Sequence, residues 1–188
     1  MTAPIDVTGI RMETDRLILR PWESADLDDF FTYTGDEKLV PGMGWKRVET
    51  REEAEACLND SIFKKESLAI VRKDTGRVIG DISIQARNWA VYPISPELMG
   101  RELGFGIGSE HWGQGFMPEV VRCVLDYCFR TLRYDFLTCG HFRENNQSKR
   151  VIRKCGFQHL FDDRRTIPKT GRTYDLSTYI LYNPHKEG

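Results

Sequence analysis

The sequence predicts an α+β fold: one mixed sheet of about seven strands flanked by about four helices. Three observations predict it. Two helix-like segments follow the first strand, a strand hairpin comes next, and the second half alternates only in part, which is not the strict order of a doubly wound fold. Four segments carry apolar stripes or caps of helical type. No internal repeat, low-complexity tract or Pro/Gly/Ser linker divides the 188 residues, so a single domain over 13–183 is expected, with a loose arm at 1–12 and a tail at 184–188.

Arg16-Leu17-Ile18-Leu19-Arg20 reads as a short strand ended by Pro21. Ser24 can cap a helix whose stripe is Leu27, Phe30, Phe31 and Thr34. Pro41-Gly42-Met43-Gly44 is a loop. Thr50 caps a second helix, with Glu53 three residues on as in a capping box, and Ala54, Cys57, Leu58, Ser61 and Ile62 on its apolar side. Residues 68–72 and 77–85 form a hairpin that turns at Asp74-Thr75-Gly76. A third long strand covers 98–108. The clearest helix runs from Pro118 to Leu132, with proline in its first turn and Glu119 near its positive end. Residues 136–142 are a strand, and 147–155 a helix stopped by Gly156. Two last strands, near 157–161 and 174–182, are joined by a loop holding Pro168 and Gly171.

Composition excludes several classes. The formal net charge is −1, so no global field recruits nucleic acid or an anionic membrane. Arg and Lys nevertheless cluster between Arg143 and Arg165, which suits either an anionic ligand or a solvated helix face. No apolar run is long enough to span a bilayer. Five cysteines, an odd number without zinc-ligand spacing, point to a reducing compartment and no metal. With no signal pattern at the N-terminus, the expected location is cytoplasmic.

The chemistry is concentrated in Leu103 to Glu119, LGFGIGSEHWGQGFMPE. Gly113 and Gly115 let the backbone curl with its amides inward, and the next helix adds its own free amides and positive end. Together they suit a pyrophosphate. A Walker loop is excluded, because no Gly-Lys-Ser/Thr closes the run. A dinucleotide fingerprint lacks its third glycine. Gly104, Gly106 and Gly108 alternate in the preceding strand, as expected if something lies close along its backbone or if the sheet is tightly packed there.

Trp112-Gly113-Gln114-Gly115-Phe116-Met117 resembles the acetyl-CoA signature of the GNAT superfamily of N-acyltransferases, Arg/Gln-x-x-Gly-x-Gly/Ala, matching at Gly115 and departing at Trp112 and Met117. Asn145 to Phe157, NNQSKRVIRKCGF, resembles the Asn-x-x-Ser…Lys-x-Gly-Phe block of the ribosomal-protein alanine N-acetyltransferase (RimJ/RimL-like) branch. Thr14 to Arg20 resembles that branch's first strand, and Glu119 its acid after the loop. The resemblance spans about Glu13 to Tyr182. It implies a splayed pair of parallel strands, residues 103–108 and 136–142, that hold acetyl-CoA between them.

Several residue roles follow from the resemblance. Phe105, Gly106 and Ile107 would meet the pantetheine through their backbone. Trp112, Gly113, Gln114, Gly115, Phe116 and Met117 would hold the pyrophosphate. Asn145 would reach the pantetheine or cap its helix. Ser148 would bind cofactor and stabilise the departing thiolate by a hydrogen bond. Glu102 is the first candidate base and acceptor-binding residue, an ion pair with an arginine being its alternative; His141 is the second base. Trp45 and Tyr92 would wall the acceptor site, or simply pack. Cys155, on the stripe with Val151 and Ile152, reads as core.

The implied partners are acetyl-CoA and an amine, with the chain a monomer or homodimer. The amine is first a protein N-terminus; alternatives are a small amine (antibiotic, polyamine or amino acid) or non-catalytic sensing of acyl-CoA. Acceptor choice would lie in loops at 41–47, 86–97 and 162–173.

Overall fold

The computed structural model describes residues 5–89, 92–167 and 171–186. Outside these fall the first four residues of the expected arm, Pro168 and the end of the tail. The strands are β1 (Met12–Glu13), β2 (Leu17–Pro21), β3 (Ser67–Arg72), β4 (Val78–Gln85), β5 (Gly100–Ile107), β6 (Phe136–Phe142), β7 (Gln158–Ile167) and β8 (Arg172–Tyr182). The helices are α1 (Leu27–Thr34), α2 (Arg51–Lys64), α3 (Phe116–Asp126) and α4 (Asn146–Lys154). One sheet takes the order β1-β2-β3-β4-β5-β6-β8-β7. Among the described strands only β5 and β6 pair in parallel; the other neighbours are antiparallel. The α+β class, the four helices and the parallel pair agree with the sequence. The eighth strand is the two-residue β1, too short for any periodicity to signal.

The sheet divides two cores because its side chains alternate between faces. On one face Val120, Val121, Val124 and Ile152 of α3 and α4 pack on Leu19, Ile70, Ile82, Leu103 and Leu137. On the other, Phe30, Ala54 and Leu58 of α1 and α2 pack on Trp22, Ala69 and Val71. The expected loose arm is a correction: Ile5 packs against the first core and Val7, Ile10 and Met12 are buried in it, so the chain packs from residue 5 onward.

Local differences have physical reasons. Ser24 opens a short 3-10 turn rather than α1, and the Asp26 carboxylate accepts from the Glu23 amide and from Arg20 (2.9 and 2.7 Å). In α1, Tyr33 is buried, a residue the predicted stripe omitted. Thr50 caps α2 by accepting from the Glu53 amide at 3.2 Å, but Glu53 returns to the amide of Glu49. Cys57 lies exposed, off the apolar side. The helix expected over 118–132 starts at Phe116 and finishes in a π turn, Tyr127–Thr131. The expected loop at 162–173 is mostly strand: Asp162 to Ile167 pair with Ser177 to Arg172. Its charged composition hides a strand held by cross-strand bonds rather than by burial.

Candidate active site

The β5–β6 ladder runs only from Gly100–Phe136 to Leu103–Cys139. Beyond it β5 stays with β4 as far as Ile107, and β6 stays with β8 as far as Phe142. The two parallel strands therefore part, and β5 turns the backbone of Gly104 to Ile107 toward the gap. A cavity of about 760 Å³ opens there, of the size that holds a small-molecule ligand.

The turn from β5 into α3 forms one end of this cavity. Gly113 and Gly115 have φ of +78° and +80°, the left-handed region that favours glycine, and Gly115 is the N-cap of α3. The first-turn amides of α3 lack helical partners, and the helix dipole adds positive potential. Lys38, Arg143, Arg150 and Arg164 also line the cavity. Such a cradle fits the pyrophosphate and phosphates of acetyl-CoA.

The two departures from the GNAT signature have local causes. Trp112 turns back and donates from Nε1 to the Ile107 carbonyl at 2.9 Å, tying the turn to the end of β5. Met117 is buried in the core. The turn is also braced from behind. Arg16 donates from Nη1 to the Gln114 carbonyl (3.0 Å) and from Nε to Glu119 Oε2 (2.8 Å), and its guanidinium lies 4.3 Å from the centre of the Phe116 ring. Thr14 donates to the same carboxylate. Burial pushes the Glu119 pKa upward, but the bonds from Thr14 and Arg16 outweigh it and hold the carboxyl below its ordinary range. The N-terminal block and the acid after the loop thus form one structural unit.

The opposite wall is the start of α4. Asn145 Oδ1 accepts from the Ser148 amide at 3.0 Å, capping the helix, while its Nδ2 donates to the Gly42 carbonyl at 3.2 Å. The loop after α1 therefore reaches across the gap from the β5 side. Ser148 is half-buried and lines the cavity.

Of the cofactor residues expected from sequence, Phe105, Gly106, Ile107, Trp112, Gly113, Gly115, Phe116, Met117, Asn145 and Ser148 border the cavity. Gln114 does not; its side chain donates to the Glu110 carbonyl at 3.0 Å. Cys155 is buried, and burial raises its thiol pKa, which suits an inert core residue.

The expected catalytic and acceptor residues are more scattered. His141 is buried on the α3–α4 face beside Tyr179, with Nδ1 2.8 Å from the Phe142 carbonyl and Nε2 3.3 Å from the Tyr179 hydroxyl. Strand alternation turns it away from Glu102. The latter pairs with Arg87, the bland alternative raised by the sequence. Trp45 packs edge-on against Tyr33 at 5.9 Å, and Tyr92 against Trp89 and Phe161, with Arg165 donating to its hydroxyl at 3.2 Å.

Sequence reasoning missed what lies on the α1–α2 face of β4 and β5. Asp81, Ser83 and Gln85 stand opposite Gly106, Gly104 and Glu102. The space that a Cβ would need at Gly104 and Gly106 is taken by the hydroxyls of Ser83 and Tyr33, 2.7 and 2.4 Å away. Thr138, the partner of Glu102 on β6, is fully buried with no hydrogen bond to its hydroxyl among the described residues. Asp81 accepts from the Tyr33 hydroxyl at 2.6 Å. Burial pushes its pKa up to about 6, and the Tyr33 bond opposes that only in part. The available signal was an isolated acid within the apolar strand VIGDISIQ.

The profile of an acetyltransferase (GNAT) domain matches residues 16–158. An uncharacterized N-acetyltransferase, YoaA, of Bacillus subtilis (strain 168) is 28% identical over 180 residues, covering 93% of this chain and 98% of that one. The ribosomal-protein-S5-alanine acetyltransferase of Vibrio fischeri superposes with a TM-score of 0.72 at 16% identity, covering 95% and 100% of the two chains. The spermidine N-acetyltransferase of Vibrio cholerae, in complex with CoA and spermine, superposes with a TM-score of 0.71 at 20% identity, covering 90% and 97%. Among the described residues, no helix is long and apolar enough to cross a membrane, and no group of metal-ligating side chains occurs. With the profile covering most of the chain and the parted strands ending in a glycine cradle, this protein belongs to the GNAT family of acetyltransferases and is an acetyl-CoA-dependent N-acyltransferase.

Proposed function

We propose that the acceptor is the α-amine of a protein N-terminus, acetylated by direct attack within a ternary complex. The observation that carries this reading is the block from Asn145 to Phe157, similar to the ribosomal-protein alanine N-acetyltransferases: its Asn145 and Ser148 stand on the wall of the cofactor cavity. The small-amine reading draws on the likeness to the spermidine enzyme, and the acids Glu102 and Asp81 would suit a cation.

Acetyl-CoA supplies the activated acetyl group. The backbone of Phe105, Gly106 and Ile107 holds its pantetheine arm, and residues 112–117 hold the pyrophosphate. Orientation of this kind supplies a large share of the rate. Ser148 stabilises the departing sulfur by a hydrogen bond. Glu102, already engaged by Arg87, orients the acceptor, while Trp45 and Tyr92 wall its site. His141 takes no part in this scheme, because it faces the other core.

The test is a panel of free amines and alanyl peptides, read by thiol release. Faster turnover of peptides with a free N-terminus than of spermidine or free amino acids is expected. Preference for spermidine would overturn the N-terminal reading, and acetyl-CoA binding without turnover would favour a sensor.

A further inference from the structure

We propose that Tyr33 and Asp81 form a proton relay that takes the proton from the acceptor's ammonium before attack. This rests on the transferase reading and names a residue pair for a step that reading leaves open.

Asp81 is the cross-strand partner of Gly106, on the stretch of β5 that has parted from β6. Its side chain points to the α1–α2 face, the face that also carries Glu102. The Tyr33 hydroxyl donates to Asp81 at 2.6 Å. A Cβ at residue 106 would stand only 2.4 Å from that hydroxyl and 2.6 Å from the Met43 methyl. The phenol therefore lies directly over the cofactor strand, and the glycine makes room for it. Both Gly106 and Met43 border the cofactor cavity. With its hydrogen committed to Asp81, the phenol oxygen keeps its lone pairs for a second donor. An acceptor ammonium approaching on this face, or a water bound to one, is such a donor.

The surroundings leave Asp81 as the proton's destination. Its neighbours across the ladders are Ala69 and Gly106, neither charged. Other acids on the packed elements have partners of their own. Asp29 of α1 is engaged by Arg77, Asp36 after α1 accepts from the Ser109 amide, and Glu102 of β5 is engaged by Arg87. Desolvation, with no cationic partner among the described residues, makes Asp81 a stronger base than an ordinary carboxylate.

The protons balance. The ammonium gives one proton to the Tyr33 oxygen as the phenol proton passes to Asp81, leaving a neutral amine, an intact phenol and a neutral carboxyl. The amine nitrogen then bonds to the thioester carbon, the carbon–sulfur bond breaks, and the second amine proton leaves with the sulfur. Asp81 returns its proton to solvent.

The experiment compares the wild type with Tyr33→Phe and Asp81→Asn, using an alanyl tripeptide and spermidine as acceptors. Rates are taken from pH 5 to 9, with calorimetric acetyl-CoA binding and thermal melts as controls. In the wild type, kcat/KM is expected to fall below about pH 6 as Asp81 takes up a proton. Both variants should bind acetyl-CoA like the wild type, lose 100-fold or more in kcat, and lose that acidic limb. If Asp81→Asn does not fold, Tyr33→Phe decides, since it removes one oxygen and keeps the ring. Variants within threefold of the wild-type rate, or with the acidic limb intact, overturn the relay and leave the transferase reading standing. A wild type that binds acetyl-CoA yet acetylates neither acceptor, nor any other amine of the panel, overturns both.

Discussion

Asp81 ties stability to chemistry within one side chain. Its pKa of about 6 in the folded chain exceeds the ordinary 3.8. Between these values the folded chain holds the proton and the unfolded chain does not. Stability therefore falls as pH rises through this window and stays lower above it. Asp81→Asn removes that cost while keeping an acceptor for Tyr33. It is expected to stabilise the protein at pH 8 by on the order of 2 kcal/mol, with little gain at pH 4. Urea titrations at the two pH values measure this; equal gains would mean that burial of the charge is not the cause. Gly115 is a second case. At φ +80° any side chain is strained, although a Cβ would meet nothing closer than Arg16 at 3.6 Å. Gly115→Val is expected to weaken acetyl-CoA binding at least tenfold through the altered amide cradle, as read by calorimetry. Unchanged affinity would place the phosphates elsewhere.

At the level of elements, two polar ties brace the gap between β5 and β6. One joins the start of β2 to the start of α3 through Arg16, Thr14 and Glu119. Glu119 is only partly exposed and serves four donors, the Thr14 hydroxyl and three N–H groups of Arg16, whereas Arg16 is nearly half exposed, so solvent screens much of the charge. Glu119→Ala is expected to lower stability by about 1 kcal/mol and to weaken acetyl-CoA binding severalfold. Denaturation and calorimetry read the two effects separately. The other tie is Asn145, which caps α4 and holds the Gly42 carbonyl across the gap. Asn145→Ala is expected to lose about 1 kcal/mol of capping energy and to release acetyl-CoA faster. Stopped-flow dissociation separates the tether from the cap, because Asn145→Asp keeps the cap's acceptor oxygen and loses the donor to Gly42.

At the scale of the whole molecule, the sheet makes a site by failing to pair. The β5–β6 ladder ends at Leu103 and Cys139, and antiparallel neighbours on either side carry the two strands apart. Ligand in that gap binds only the folded chain. Acetyl-CoA at a hundred times its Kd should therefore add ~2.7 kcal/mol to stability. A thermal shift series reads this, and a melting temperature indifferent to acetyl-CoA would remove the cofactor assignment. Much of this site was legible in the sequence, because the glycine turn, the helix after it and the Asn-x-x-Ser block are local features whose backbone demands show in the residues themselves. The helices and inner strands were legible for a similar reason: burial on one face imposes a period. The strand from Asp162 to Ile167 was not, since its charged residues face solvent and only the ladder to β8 defines it. Nor was the alternation that puts His141 in one core and Glu102 on the other face. The sequence by itself determined the fold class, the family and the donor side. Only the tertiary structure brought Tyr33, 48 positions before Asp81, onto that half-buried carboxylate beside Gly106, because contacts between distant segments leave no periodic trace in either one.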